Sequence, residues 1–113
     1  METLNATWDQ VEEFVTQLSE KAQGFNGVYG VPRGGLVLAV MLSHRCGLPL
    51  LAAPCDGCII VDDIADTGET LRRYSGKHYI ATMFYHGQSS FVPDFWLYEK
   101  GDRWIVYPWE NKE

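Results

Sequence analysis

Apolar residues recur at helical spacing near the start of the chain: Trp8, Val11, Phe14, Val15 and Leu18 fall on one face. Thr7 and Gln10 stand just ahead of that face as a capping box, in which each side chain satisfies the other residue's backbone N–H. A helix is expected from about Trp8 to about Ala22, stopping in Gly24-Phe25-Asn26-Gly27. The pattern then changes. Gly27 to Val31 is a short apolar run stopped by Pro32 and reads as a buried strand. Leu36 to Cys46 reads as a mostly apolar helix closed by Gly47. Leu48 to Ala53 is a second strand candidate and Pro54-Cys55-Asp56-Gly57 a turn. Cys58 to Val61 is apolar without alternation, as a parallel strand covered on both faces should be. A polar loop, Asp62 to Thr67, leads to a helix of about Gly68 to Tyr74, then a strand from Lys77 to Tyr85. After a loop at Gly87 to Ser90, Phe95 to Tyr98 and Trp104 to Tyr107 read as two further short strands. This alternation predicts an α/β fold with a mainly parallel sheet flanked by helices, in which ligands bind beyond the carboxyl ends of the strands.

Composition narrows the picture. With 113 residues, 46% apolar and 21% charged, the chain fits one globular domain over residues 1–113 and does not resemble a disordered segment. Nine Lys plus Arg against 15 Asp plus Glu give a net charge of −6, a poor basis for neutralising nucleic-acid phosphates. A phosphorylated small molecule remains compatible if positive charge is local or supplied by a metal. No apolar run approaches a membrane span, and the start shows no signal-peptide pattern. Three cysteines are an odd count, which argues against a disulfide scaffold and points to a reducing, cytoplasmic setting.

The candidate chemistry is concentrated in Cys58 to Thr70. Four apolar residues deliver Asp62 and Asp63 to the end of a strand, where successive side chains point to opposite faces and so should do different jobs. Asp66-Thr67-Gly68-Glu69-Thr70 then turns into a helix, offering free N–H groups and two hydroxyls to an anion. A lone Asp-Thr-Gly would read better as a capped helix with solvated carboxylates, whereas the whole run from Cys58 to Thr70 favours the anion site. Arg33-Gly34-Gly35 follows a strand and opens a helix, and its guanidinium could grip a diphosphate while the glycines expose N–H groups; a plain turn with a surface arginine has the same pattern. Trp104 to Trp109 reads as an aromatic strand with a proline stop, compatible with core packing or with stacking on a flat ring. His44, Cys46, Cys55 and Cys58 are zinc-type ligands, although a helix end and a buried strand start are places for core cysteines. His78 begins a strand and is given no chemical role.

The segment from Cys58 to Thr70 resembles the signature of the type I phosphoribosyltransferases, which use 5-phosphoribosyl pyrophosphate (PRPP). The tail Trp104-Ile105-Val106-Tyr107-Pro108-Trp109 and the early Thr7-Trp8-Asp9 are similar to the xanthine/guanine-type members. The resemblance implies a three-layer fold with a hood. It implies that Asp62 and Asp63 hold the ribose hydroxyls and Mg²⁺, and that Asp66, Thr67, Gly68, Glu69 and Thr70 bind the 5′-phosphate. Arg33, Gly34 and Gly35 would bind the pyrophosphate, with a cis peptide at Pro32–Arg33. Trp104 would stack on the purine, the Ile105 backbone would read its edge, and Asp66 would be the catalytic acid or base at N7. The ligands implied are PRPP and a purine base or nucleoside monophosphate, without nucleic acid or membrane, in a homodimer.

Two departures stand out. Only Pro54 to Gly57 separates the second and third strand candidates, where the family places a long flexible loop that closes over PRPP. The hood is correspondingly reduced. His86 stands at or near the position of the lysine that reads the purine 6-oxo group in the family, and an imidazole donates there more weakly and pH-dependently. The expected activity is phosphoribosyl transfer to a 6-oxopurine, and the alternative is a PRPP- or nucleotide-binding module without turnover.

Overall fold

A computed structural model describes residues 2–110. Its elements in chain order are β1 (Thr3–Asn5), α1 (Trp8–Ser19), β2 (Val28–Gly30), α2 (Gly34–Cys46), β3 (Ile59–Ala65), α3 (Glu69–Arg72), β4 (Tyr79–Tyr85), β5 (Phe95–Glu99) and β6 (Trp104–Val106). The main sheet has the order β2-β3-β4-β5, and every pairing is parallel. β1 and β6 form a separate parallel pair, joining the start of the chain to its aromatic tail.

The three layers follow from alternation along β3. Ile59 and Val61 pack with Phe14, Leu18, Leu38 and Leu42 from α1 and α2 on one face. Ile60 packs with Leu71 and Ile80 on the other, beneath α3. All of these side chains are buried, which is why β3 carries no polar residue until Asp62. The capping box at Thr7 and Gln10 is present in both directions and fixes the start of α1.

Several boundaries differ from expectation. α1 ends at Ser19 rather than near Ala22, because Lys21 and Ala22 donate to Leu18 and Ser19 in tighter, three-residue turns. α3 is only Glu69–Arg72: Gly68 is left-handed, and beyond Arg72 the chain closes by the same tight turns into Gly76. Leu48 to Ala53 is not a strand but an isolated bridge of Leu50 to Val28: Pro49 removes a donor inside the segment and Pro54 stops it. In the other direction, β3 runs on to Ala65, because β4 extends to Tyr85 and Ala65 pairs with it. Asp62 and Asp63 therefore sit within a strand rather than in a loop. β1 was not anticipated from the sequence at all.

Candidate active site

The carboxyl ends of β2, β3 and β5 converge on three adjoining cavities. The first, of about 180 Å³, is bounded by Asp62, Asp63 and the turn Asp66 to Thr70. The second, of about 170 Å³, lies among Ile64, Asp66, Lys100, Trp104, Ile105, Tyr107 and Glu110. The third, of about 620 Å³, is lined by Arg33, Gly34, Val37, Asp63, Trp109 and Glu110. Asp63 belongs to the first and third cavities, and Asp66 to the first and second.

The paired acids take different surroundings, as strand alternation requires. Asp63 lies against the start of α2, where a Cβ on Gly34 would overlap its carboxylate. Asp62 is buried, and its Oδ1 accepts the Asp63 backbone N–H at 2.8 Å. Burial pushes the Asp62 carboxyl up to about 9, and the neighbouring Asp63 charge adds to the rise. Burial also raises Asp63. Among the described residues neither carboxylate has a lysine, arginine or histidine in ion-pair contact. Two desolvated carboxylates without a counter-charge suit a divalent cation: Mg²⁺ takes one or two carboxylates and completes its shell with water and substrate phosphate oxygens.

The turn after β3 is shaped for close approach. Gly68 has φ +88°, and a Cβ there would come within 2.6 Å of Ser89 Oγ and 2.7 Å of the Phe91 nitrogen. Thr67 Oγ1 accepts the Glu69 N–H at 3.3 Å, and the Ser90 N–H and hydroxyl both donate to the Thr67 carbonyl at 2.9 Å. The loop after β4 thus braces the cradle from outside.

After β2 the Pro32–Arg33 peptide is cis, and Arg33 is exposed beside the third cavity. One expectation here is corrected. Gly35 does not expose its N–H, which donates to the Val31 carbonyl at 2.9 Å. Gly35 is buried, and a Cβ would overlap the Val61 carbonyl, so its smallness lets α2 seat on β3.

The β1–β6 pair carries the aromatic wall. Trp104 is 62% exposed and lines the second cavity, whereas Ile105 beside it is buried. Tyr107 stacks on Trp109 with centroids 5.0 Å apart, and its hydroxyl donates to the Asp63 carbonyl at 3.3 Å. Burial pushes the Tyr107 phenol far up, so it stays a neutral donor. Glu110 Oε1 accepts the Tyr107 N–H at 2.9 Å, closing the tail against the site.

No family model matches the chain. It is 26% identical over 133 residues to the xanthine-guanine phosphoribosyltransferase of Vibrio vulnificus (strain YJ016), covering 92% of this chain and 86% of that protein. A solved purine phosphoribosyltransferase from Pyrococcus horikoshii Ot3 is 31% identical with a TM-score of 0.85, covering 100% of this chain and 97% of that one. The chain belongs to the purine phosphoribosyltransferase family. A Helicobacter pylori xanthine-guanine-hypoxanthine phosphoribosyltransferase shares the fold, with a TM-score of 0.73 at 18% identity over 96% of this chain and 94% of that one. The type I phosphoribosyltransferase fold expected from the sequence is thereby the observed one. The stretch aligned with the Vibrio enzyme exceeds the 113 residues here, so that phosphoribosyltransferase carries insertions this chain lacks.

Within this phosphoribosyltransferase fold, Arg33, Gly34, Asp62, Asp63, Asp66, Thr67, Gly68, Thr70, Trp104 and Ile105 all line the three cavities. Glu69 opens α3 behind the cradle and does not line it. His86 does not line the aromatic cavity: its Nδ1 stands 3.4 Å from Asp66 Oδ1 and its Nε2 4.0 Å from Asp102 Oδ1. Sequence reasoning missed Lys100, Tyr107 and Glu110 as cavity residues. The charge of Lys100 and the hydroxyl of Tyr107 are unremarkable in a linear reading, because their partners are Asp66 and Asp63, distant in the chain. Of the zinc-type ligands, Cys58 is buried and Cys46 half-buried, while Cys55 is exposed. Among the described residues no group of three or more His, Cys, Asp or Glu is placed to hold a metal ion.

Proposed function

We propose that this protein transfers the 5-phosphoribosyl group of PRPP to N9 of a 6-oxopurine and releases pyrophosphate. The observation that carries this reading is the sharing of Asp63 and Asp66 among three cavities of different chemistry. A phosphate cradle, an aromatic slot and an arginine-lined opening meet at Asp63, read as a ribose and metal ligand, and Asp66, read as a phosphate and purine N7 residue.

The transition state of such a transfer develops positive charge at the ribose C1, so the protein mainly positions the partners and stabilises charge. The Asp66 to Thr70 turn would hold the 5′-phosphate and fix the sugar. Trp104 would hold the purine by stacking, with no base-specific hydrogen bond required. Asp66, reaching the aromatic slot from the cradle, would take or return the N7 proton. Arg33 would bind the departing pyrophosphate. Mg²⁺ held by Asp63 and Asp62 would neutralise charge on the diphosphate. A homodimer belongs to the same proposal, supported by the exposed Leu36 and Val40 one turn apart on α2.

A second reading rests on the Pro54 to Gly57 turn, which replaces a closing loop. On that reading the protein binds PRPP without turning it over. The two are separated by measuring pyrophosphate release with Mg²⁺, PRPP and each of guanine, xanthine and hypoxanthine. Release that Asp66→Asn abolishes supports the transferase. Binding of PRPP with no release from any base supports the module.

A further inference from the structure

Two of the three cysteines, Cys55 and Cys58, are brought together by the turn that leads into β3. The Cys58 N–H donates to the Cys55 carbonyl at 3.3 Å and closes four residues into a turn. Such a turn holds its first and last Cα within roughly 7 Å, close to the span a disulfide bridges. The Cys55 N–H donates to the Cys58 sulfur at 3.5 Å, and the two thiols also meet side chain to side chain. Asn26 anchors the turn from outside: its N–H donates to the Gly57 carbonyl at 2.9 Å and its side-chain amide to the Asp56 carbonyl at 3.0 Å. Joining the sulfurs therefore asks mainly for rotation of the two side chains.

The thiols differ in reach. Cys55 is exposed, whereas Cys58 is buried. His78, twenty residues on, places Nδ1 3.8 Å from the Cys58 sulfur. Cys58 and His78 both line a cavity of about 510 Å³, a size that admits a small molecule. Burial raises the Cys58 thiol, so its sulfur becomes a nucleophile only when a base takes its proton. Cys46 stands apart, its thiol donating to the Leu42 carbonyl at 3.0 Å within α2.

We propose that Cys55 and Cys58 are a reversible redox pair, oxidised by a small-molecule disulfide, in which exposed Cys55 attacks first and His78 takes the proton of Cys58. In the first step the Cys55 thiolate attacks one sulfur of the small disulfide, whose sulfur–sulfur bond breaks to release one thiolate. A mixed disulfide is left on Cys55. In the second step Cys58 yields its proton to His78 Nδ1, and its sulfur attacks that of Cys55. The second small thiolate leaves and takes up the proton. Two protein thiols are oxidised to one disulfide, and one small disulfide is reduced to two thiols. The exposed sulfur keeps the bond open to the reverse exchange, the transient behaviour that disulfides show in reducing compartments. The pair stands at the opposite end of β3 from Asp63, and the proposal does not rest on the transferase reading.

Incubation of the folded full chain with oxidised glutathione, then acid quenching, alkylation and mass spectrometry, tests it. The unaltered protein should lose two hydrogens, carry one Cys55–Cys58 disulfide and leave Cys46 alone open to alkylation. Reduced glutathione in excess should restore all three thiols. Cys58→Ala should stop at a glutathione adduct on Cys55, and Cys55→Ala should react about 10-fold more slowly or less. His78→Ala should slow ring closure about 10-fold and let the Cys55 adduct accumulate, which loss of packing alone would not produce. His78→Gln serves if the alanine variant fails to fold. Absence of the disulfide, an adduct on Cys55 that does not close in the unaltered protein, first reaction at Cys58, or a bond that includes Cys46 or joins two chains would overturn the pair. Unchanged closure in both His78 variants would overturn the part given to His78 and leave the pair standing.

Discussion

The two ends of the main sheet offer contrasting hollows. At the amino ends of β3, β4 and β5 lies a cavity of about 510 Å³ lined by Phe25, Cys58, Lys77, His78, Tyr79 and Asp94. It exceeds the phosphate cradle and the aromatic slot at the carboxyl ends. Two of its polar groups are engaged locally, however: Asp94 Oδ2 accepts the Ile80 N–H at 2.8 Å, and the Cys58 thiol, raised by burial, lies against His78. At the carboxyl ends, two buried carboxylates press on each other, and glycines open space against them. Unmet polar demand, rather than volume, distinguishes the end proposed for phosphoribosyl transfer.

Substitutions at the two ends should separate accordingly. The largest effect is expected from Asp66→Asn, which removes the proposed acid or base between cradle and slot and should lower kcat about 1,000-fold with an unchanged thermal midpoint. Gly34→Ala comes next. Its methyl would displace the Asp63 carboxylate, and a misplaced group of this kind costs roughly 100-fold in kcat/KM. Trp104→Ala should raise the KM for the base about 10-fold with little change in kcat, and an unchanged KM would remove Trp104 from the site.

Asp62 gives a smaller, pH-dependent signature. Its folded carboxyl titrates near 9, whereas an unfolded aspartate releases its proton near pH 4 (roughly). The folded state therefore keeps a proton that the unfolded chain loses. The contribution is complete below the unfolded value and fades as pH rises toward the folded one. Asp62→Asn needs no proton, so it should raise the thermal midpoint by several degrees at pH 8 and hardly at all at pH 4. A difference of equal size at both pH values would contradict the burial of that carboxyl. Smallest of all, His78→Ala at the amino end should leave kcat/KM within about twofold. A large loss there would erase the distinction between the two ends.

Much of this was legible in the sequence, for reasons that are local. The α1 face, the capping box, the apolar run into Asp62 and the turn at Gly68 each declare themselves within a few residues. What was not legible depended on partners distant in the chain. β1 is three residues long and exists because Ala6 and Trp104 donate to Val106 and Glu2. Gly35 looked like a ligand because its contact, the Val61 carbonyl, is reached only once α2 packs on the sheet. Lys100 gives no local sign that its ammonium turns inward, since Asp66 and Trp104 flank it from other elements. Leu48 to Ala53 misled in the opposite way, as its apolar residues suit a strand that Pro49 within it and Pro54 after it prevent.

The four-residue connection Pro54 to Gly57 has a kinetic consequence. A swinging flap sets the tempo of many enzymes, because it must open before product departs and shut before bond-breaking begins. A turn this short, held at its base by the Asn26 amide on the Asp56 carbonyl at 3.0 Å, has no reach for that motion. Turnover here is freed from that clock. On the proposed reaction the same openness would admit water as a competing acceptor, and the balance between productive transfer and idle loss of PRPP would fall to how quickly a purine fills the slot.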